Sequence, residues 1–180
     1  MTIVFRENSD IDNMVITEKE TKCATLEDEG EKHTVLFVCT GNTCRSPMAE
    51  AVYNYYAEKY GVSTRAFSAG IAADGSRMSA HARTALLEKG YIDEDYSFNS
   101  RQVSEQMIAE SDAVVGLTEA HAMRLMMCFP AYATRIRPLS SDISDPFGGY
   151  LERYKECLED IESAVLSEFF SEYTDGDKDE

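Results

Sequence analysis

The first clear hydrophobic run, Val35-Leu36-Phe37-Val38, is continuous and does not alternate, the pattern of a strand buried on both faces of a parallel sheet. After it, Ser46 and Pro47 predict a helix start, with Ser46 as N-cap and Pro47 at the first helical position. Met48, Val52, Tyr55 and Tyr56 recur at helical spacing as far as Gly61. Arg65–Ser68, ended by Gly70, is a weaker strand pattern. Ser79–Lys89 reads as a helix with Ala82, Ala85 and Leu86 on one side and Gly90 past its end. Ala113–Leu117 is another buried strand, followed by Thr118 as N-cap of a helix over Glu119–Cys128, and Arg135–Leu139 is the last strand. Beyond Asp145-Pro146, the residues Leu151, Tyr154, Leu158, Ile161 and Val165 share one face of a long helix. Strands alternating with helices across short links predict an α/β fold, a three-layer sandwich with a central four-stranded parallel sheet and helices on both faces. Ligands of such sheets bind beyond the carboxyl ends of the strands, and Cys39 falls at one of those ends.

The hydrophobic pattern begins only at residue 33. Residues 1–32 read as a partly ordered acidic extension in which TIVF is at most a short strand, 33–172 as one domain, and 173–180 as an acidic tail. The net charge of −16 gathers in Glu18–Glu31 and Asp175–Glu180, which argues for solubility and against binding a nucleic-acid backbone. No run reaches the length of a membrane span, and no secretory signal pattern opens the chain, so a cytoplasmic setting is expected with no membrane partner. Five cysteines in that setting predict reduced thiols, one of which carries chemistry.

The chemistry concentrates in VLFVCTGNTCRSP, where a strand feeds a helix through a short loop. Such a loop turns backbone N–H groups inward, and the helix dipole adds positive charge, so the link is a nest for a phosphoryl dianion. Gly41 permits the turn, and the absence of a GK[ST] ending excludes a nucleotide P-loop. Cys39 is placed as a nucleophile, since a helix N-terminus and a neighbouring cation favour the thiolate. Arg45 offers a planar fork that matches two phosphoryl oxygens, and Ser46 is placed to donate to the sulfur. The leaving group needs a proton. Asp145, stiffened by Pro146, is suited to supply it, although chemistry alone does not separate Asp145 from Asp142.

CTGNTCRSP resembles the CX5R[S/T] loop of the low-molecular-weight protein tyrosine phosphatases, Asp145-Pro146 resembles their late general-acid motif, and Ser68-Ala69-Gly70 lies where the family has SAG. The resemblance spans roughly residues 34–170. It implies Cys39 as nucleophile, Arg45 as phosphoryl clamp and Asp145 as proton donor. Thr40, Gly41, Asn42, Thr43, Cys44 and Ser46 then complete the phosphate-binding loop, with Asn42 stiffening it and Ser46 supporting the thiolate. Cys44 matches a family position that forms a reversible disulfide with the nucleophile. Thr43 stands where tyrosine-directed members carry an apolar residue and resembles the protein arginine phosphatase branch. Phe147, followed by two glycines, leaves a thinner aromatic wall than a phenyl ring would use. Thr43 and Phe147 are thus the expected specificity residues. The implied partners are phosphorylated protein substrates and an opposing protein arginine kinase; no cofactor or metal is implied.

Two rival readings are weaker. A thioredoxin-coupled arsenate reductase shares the scaffold but needs a mobile cysteine pair, whereas Cys128 and Cys157 stand apart on separate predicted helices. A catalytically dead phospho-residue binder would have lost the nucleophile, arginine or acid, and all are present. His33, His81 and His121 are expected to be cap or surface residues outside the mechanism.

Overall fold

Val35–Val38 lies in the middle of a four-stranded, wholly parallel sheet. A computed structural model describes residues 33–174, so the expected extension over 1–32 and the end of the tail, 175–180, lie outside the described residues. The strands are β1 (His33–Cys39), β2 (Thr64–Gly70), β3 (Ala113–Gly116) and β4 (Ile136–Pro138), in the spatial order β2-β1-β3-β4. β1 pairs with β2 from His33↔Thr64 to Cys39↔Gly70, and with β3 from Val35↔Ala113 to Val38↔Gly116. The chain steps from β1 to one side and returns on the other, so the switch point lies at the end of β1, where a crevice opens.

The helices are α1 (Arg45–Lys59), α2 (Ala80–Glu88), α3 (Glu105–Ala109), α4 (Glu119–Cys128), α5 (Leu151–Phe169) and a final turn, α6 (Ser171–Thr174). α1, α2 and α5 cover the sheet face that carries Val35 and Phe37, while α3 and α4 cover the face that carries Leu36 and Val38. Leu36, Phe37 and Val38 are completely buried, which explains the unbroken apolar run. Tyr154, Leu158, Ile161 and Val165 of α5 are buried as their spacing predicts. None of the helices among the described residues is long and apolar enough to cross a membrane.

Several local expectations are corrected. α1 begins at Arg45, with Cys44 at the cap position and no side-chain cap, so Ser46 is not the N-cap and Pro47 sits at the third helical position. Pro47 costs nothing there, because the first-turn N–H groups have no intrahelical acceptor. α1 is buried almost all round through Met48, Ala49, Ala51, Val52, Tyr53, Tyr56 and Ala57, whereas the predicted face residue Tyr55 is exposed. α3 and a 3-10 turn over Pro130–Arg135 were not predicted. Both are too short for periodicity to register.

Candidate active site

At the carboxyl end of β1 the loop Thr40–Cys44 closes into a cleft of about 220 Å³ lined by Cys39, Thr40, Gly41, Thr43, Cys44, Arg45, Asp145 and Phe147. Cys39 is buried at its floor, with its Sγ 3.0 Å from Ser46 Oγ and receiving the Asn42 N–H at 3.3 Å. The Ser46 hydroxyl, freed from capping, has two acceptors for its one hydrogen: Cys39 Sγ, and the Ala69 carbonyl at 3.3 Å. A protonated thiol lets Ser46 donate to the carbonyl, and a thiolate draws that hydrogen to the sulfur.

Asn42 organises the loop. It takes the left-handed conformation at φ 54°, which Asn tolerates better than most residues, and it is fully buried. Its Nδ2 donates to Ser46 Oγ and to Ser68 Oγ, both at 2.9 Å, and its Oδ1 accepts from the Arg101 N–H at 2.8 Å. Gly70 closes the same corner, since a Cβ there would stand 2.7 Å from the Thr40 carbonyl oxygen. That contact is the physical reason for a glycine at the end of Ser68-Ala69-Gly70.

Behind this layer Ser68 Oγ donates to Glu50 Oε2 at 2.5 Å, and Arg101 reaches the same oxygen at 3.2 Å. Burial holds the Glu50 carboxyl above its ordinary 4.5, against the lowering by Ser68 and Arg101. Because the folded-state pKa is the raised one, Glu50's contribution to stability is full below 4.5 and is lost as pH rises through the folded value. Glu50→Gln is therefore expected to gain on the wild type in melting temperature between pH 4 and pH 7, which thermal melts at both pH values check. An identical offset at the two pH values would contradict the shift.

Arg45 is buried, donating through Nη1 to the Ile143 carbonyl at 3.2 Å and through Nη2 to Asp145 Oδ2 at 2.6 Å. The alternative acid, Asp142, is turned elsewhere: its Oδ1 accepts the Glu119 N–H at 2.8 Å, at the start of α4. Of the two carboxylates left open by sequence, Asp145 is the one on the cleft. Phe147 stands at the lip, 77% exposed, and Gly148 follows at φ 77°. Thr43 Oγ1 lies on the cleft with Cys44 Sγ, 3.6 Å away, as its hydrogen-bonding neighbour among the described side chains. Cys44 is buried, with its Sγ 3.5 Å from Tyr154 Oη, and burial together with that contact pushes the Tyr154 phenol up to about 12.

Cys128 is exposed at the end of α4. Cys157 is buried on α5, where desolvation pushes its thiol up to about 12. His121, expected as a cap or surface residue, is corrected: it is buried beside the cleft, with Nε2 3.0 Å from Thr40 Oγ1 and Nδ1 2.8 Å from Thr118 Oγ1. Burial and then the Arg45 charge hold its imidazole below the ordinary value, opposed by Asp145 and Asp142. Besides His121, sequence reasoning missed Glu50, Arg101 and Tyr154. A usable signal existed for Glu50, a lone carboxylate among the small apolar residues of Met48-Ala49-Glu50-Ala51-Val52.

A buried thiol on a phosphoryl-sized nest, at the switch point of a parallel sheet and facing an arginine and a carboxylate, defines a cysteine-based phosphatase. The chain belongs to the low molecular weight phosphotyrosine protein phosphatase family, which matches residues 34–174. It is 34% identical over 139 residues to a protein-arginine-phosphatase of Bacillus subtilis, covering 73% of this chain and 91% of that protein. The solved YwlE arginine phosphatase of Geobacillus stearothermophilus superposes with a TM-score of 0.71 at 32% identity, covering 82% of this chain and 97% of that one. A second YwlE structure, with serine in place of the active-site cysteine and that serine phosphorylated, gives a TM-score of 0.69 at 30% identity over 77% of this chain and 98% of that one.

Proposed function

We propose that this protein hydrolyses phosphoarginine in proteins through a cysteinyl-phosphate intermediate. The observation that supports the specificity is Thr43 on the cleft wall with Cys39, Arg45 and Asp145, a small hydroxyl available to pair with a guanidinium and less bulky than an apolar side chain would be. The arginine-phosphatase relatives support the same reading.

The geometry supports a two-step displacement. Cys39 thiolate attacks phosphorus in line, the S–P bond forms and the P–N bond breaks, while Asp145 delivers its proton to the departing nitrogen. Loop N–H groups and the Arg45 fork hold the non-bridging oxygens as charge redistributes. Asp145, now a carboxylate, faces the guanidinium product and then takes a proton from water. The water oxygen bonds to phosphorus, the S–P bond breaks, and the leaving thiolate receives Ser46's hydrogen bond. The reading implies a protein arginine kinase as the opposing activity.

A second reading, phosphotyrosine hydrolysis, is favoured by one feature: the exposed Phe147 ring at the lip offers a flat wall for a phenyl group. The test compares kcat/KM on phosphoarginine and phosphotyrosine peptides for wild type and Thr43→Ile. The wild type is expected to prefer phosphoarginine, with that preference falling about 10- to 100-fold in Thr43→Ile. A wild type that prefers phosphotyrosine would retain the mechanism and discard the arginine assignment.

A further inference from the structure

The thiol–phosphoryl chemistry leaves His121 without a task. It lies at the rim of the phosphate loop because α4 starts hard against the end of β3. A Cβ on Gly116 would come within 2.5 Å of the Ala122 nitrogen, so only glycine allows this approach. The ring thereby bridges Thr118 and Thr40.

The polarity of that bridge follows from counting hydrogens. A hydroxyl donates one hydrogen and accepts up to two. Thr118 Oγ1 already accepts the His121 backbone N–H at 3.3 Å, as the cap of α4. Among the described residues the acceptor within reach of its own hydrogen is His121 Nδ1. With Nδ1 accepting, a neutral ring carries its proton on Nε2 and donates it to Thr40 Oγ1. The hydrogen of Thr40 is then free of His121, and Thr40 is exposed on the cleft alongside Cys39 and Arg45. The reverse polarity strands the Thr118 hydrogen and commits the Thr40 hydrogen to the ring, turning oxygen lone pairs toward an incoming dianion.

We infer that the Thr118–His121 pair sets the Thr40 hydroxyl as a side-chain donor to a non-bridging phosphoryl oxygen, with Thr40 a binding residue and His121 a positioning residue. The inference rests on the phosphatase reading of the cleft. It adds a polarised side-chain donor, Thr40, to the backbone nest, set by an element, α4, that contributes no residue to the cleft wall.

The experiment measures the Kd of inorganic phosphate by calorimetry, and kcat and KM for para-nitrophenyl phosphate, a substrate indifferent to the arginine or tyrosine question. Thr40→Val is expected to weaken phosphate about tenfold and to raise KM similarly, as loss of a hydrogen bond to a charged acceptor does, with Thr40→Ser restoring both. His121→Phe is expected to match Thr40→Val, yet to cost under about twofold when added to it, because both remove the same interaction. His121→Gln, whose amide donates from nearly the Nε2 position, is expected to stay within about threefold of wild type. Unchanged phosphate affinity in Thr40→Val, or additive losses in the double variant, would overturn the inference. The two readings fail separately: Thr40-dependent phosphate binding without any turnover would support this inference and remove the catalytic one.

Discussion

Cys39→Ser is expected to lose turnover by about 10⁵-fold while still binding phosphate, because a serine hydroxyl in this loop has no base to activate it. Ser46 and Asn42 are the groups that contact the sulfur, through a hydroxyl and a backbone N–H, and neither takes a proton at neutral pH. On the proposed reading the loop N–H groups, Arg45 and Thr40 hold the phosphate, so the substitution leaves the binding groups in place. Single-turnover assays with para-nitrophenyl phosphate, paired with phosphate calorimetry, separate the two effects. Residual turnover above roughly one part in 10³ without a phosphoserine intermediate would exclude a covalent role for residue 39.

Arg45→Lys follows, with an expected loss of about 10³-fold in kcat although the charge is kept. The guanidinium is buried and presents two separate nitrogens, one tied to the Ile143 carbonyl and one to Asp145. A lysine ammonium supplies one compact charge and cannot hold the carbonyl, the carboxylate and two phosphoryl oxygens from fixed directions. The Asp145 pairing matters as much, since the same guanidinium holds the carboxylate proposed as proton donor, 2.6 Å away. The kcat effect should therefore exceed the effect on phosphate Kd. Equal losses in both would assign Arg45 to binding alone.

The opposite case is the layer behind the loop. Glu50, Ser68 and Arg101 touch no part of the cleft wall, yet each hydrogen-bonds within the chain that reaches Asn42 and Ser46. They hold a left-handed Asn42 in a buried corner, where an unpaired amide would be costly. Substitutions there act on the loop's shape, and through it on Cys39.

Much of this was legible in the sequence because it is local. Cys39, Arg45 and Ser46 lie within one strand–loop–helix link, so their spacing alone brings a thiol, a guanidinium and a hydroxyl together at one end of the sheet. The parallel sheet was legible for a similar reason, since strands buried on both faces must be continuously apolar. What the sequence could not rank were partners brought together by crossovers. Asp145 and Asp142 are chemically equivalent in the chain. The fold separates them by sending one to Arg45, 100 residues away in sequence, and the other to the Glu119 N–H. His121 looked like any polar residue near a helix start until Gly116 let α4 close on β3 and bring the ring to Thr40, 81 residues distant. Ser46 was misplaced as a cap because capping propensity is a local preference, and the buried thiol with Asn42 competes for the same hydroxyl more strongly. Spacing along the chain determined which groups share the loop. Hydrogen bonds between distant segments, which carry no periodic signature, decided which residues hold those groups in place.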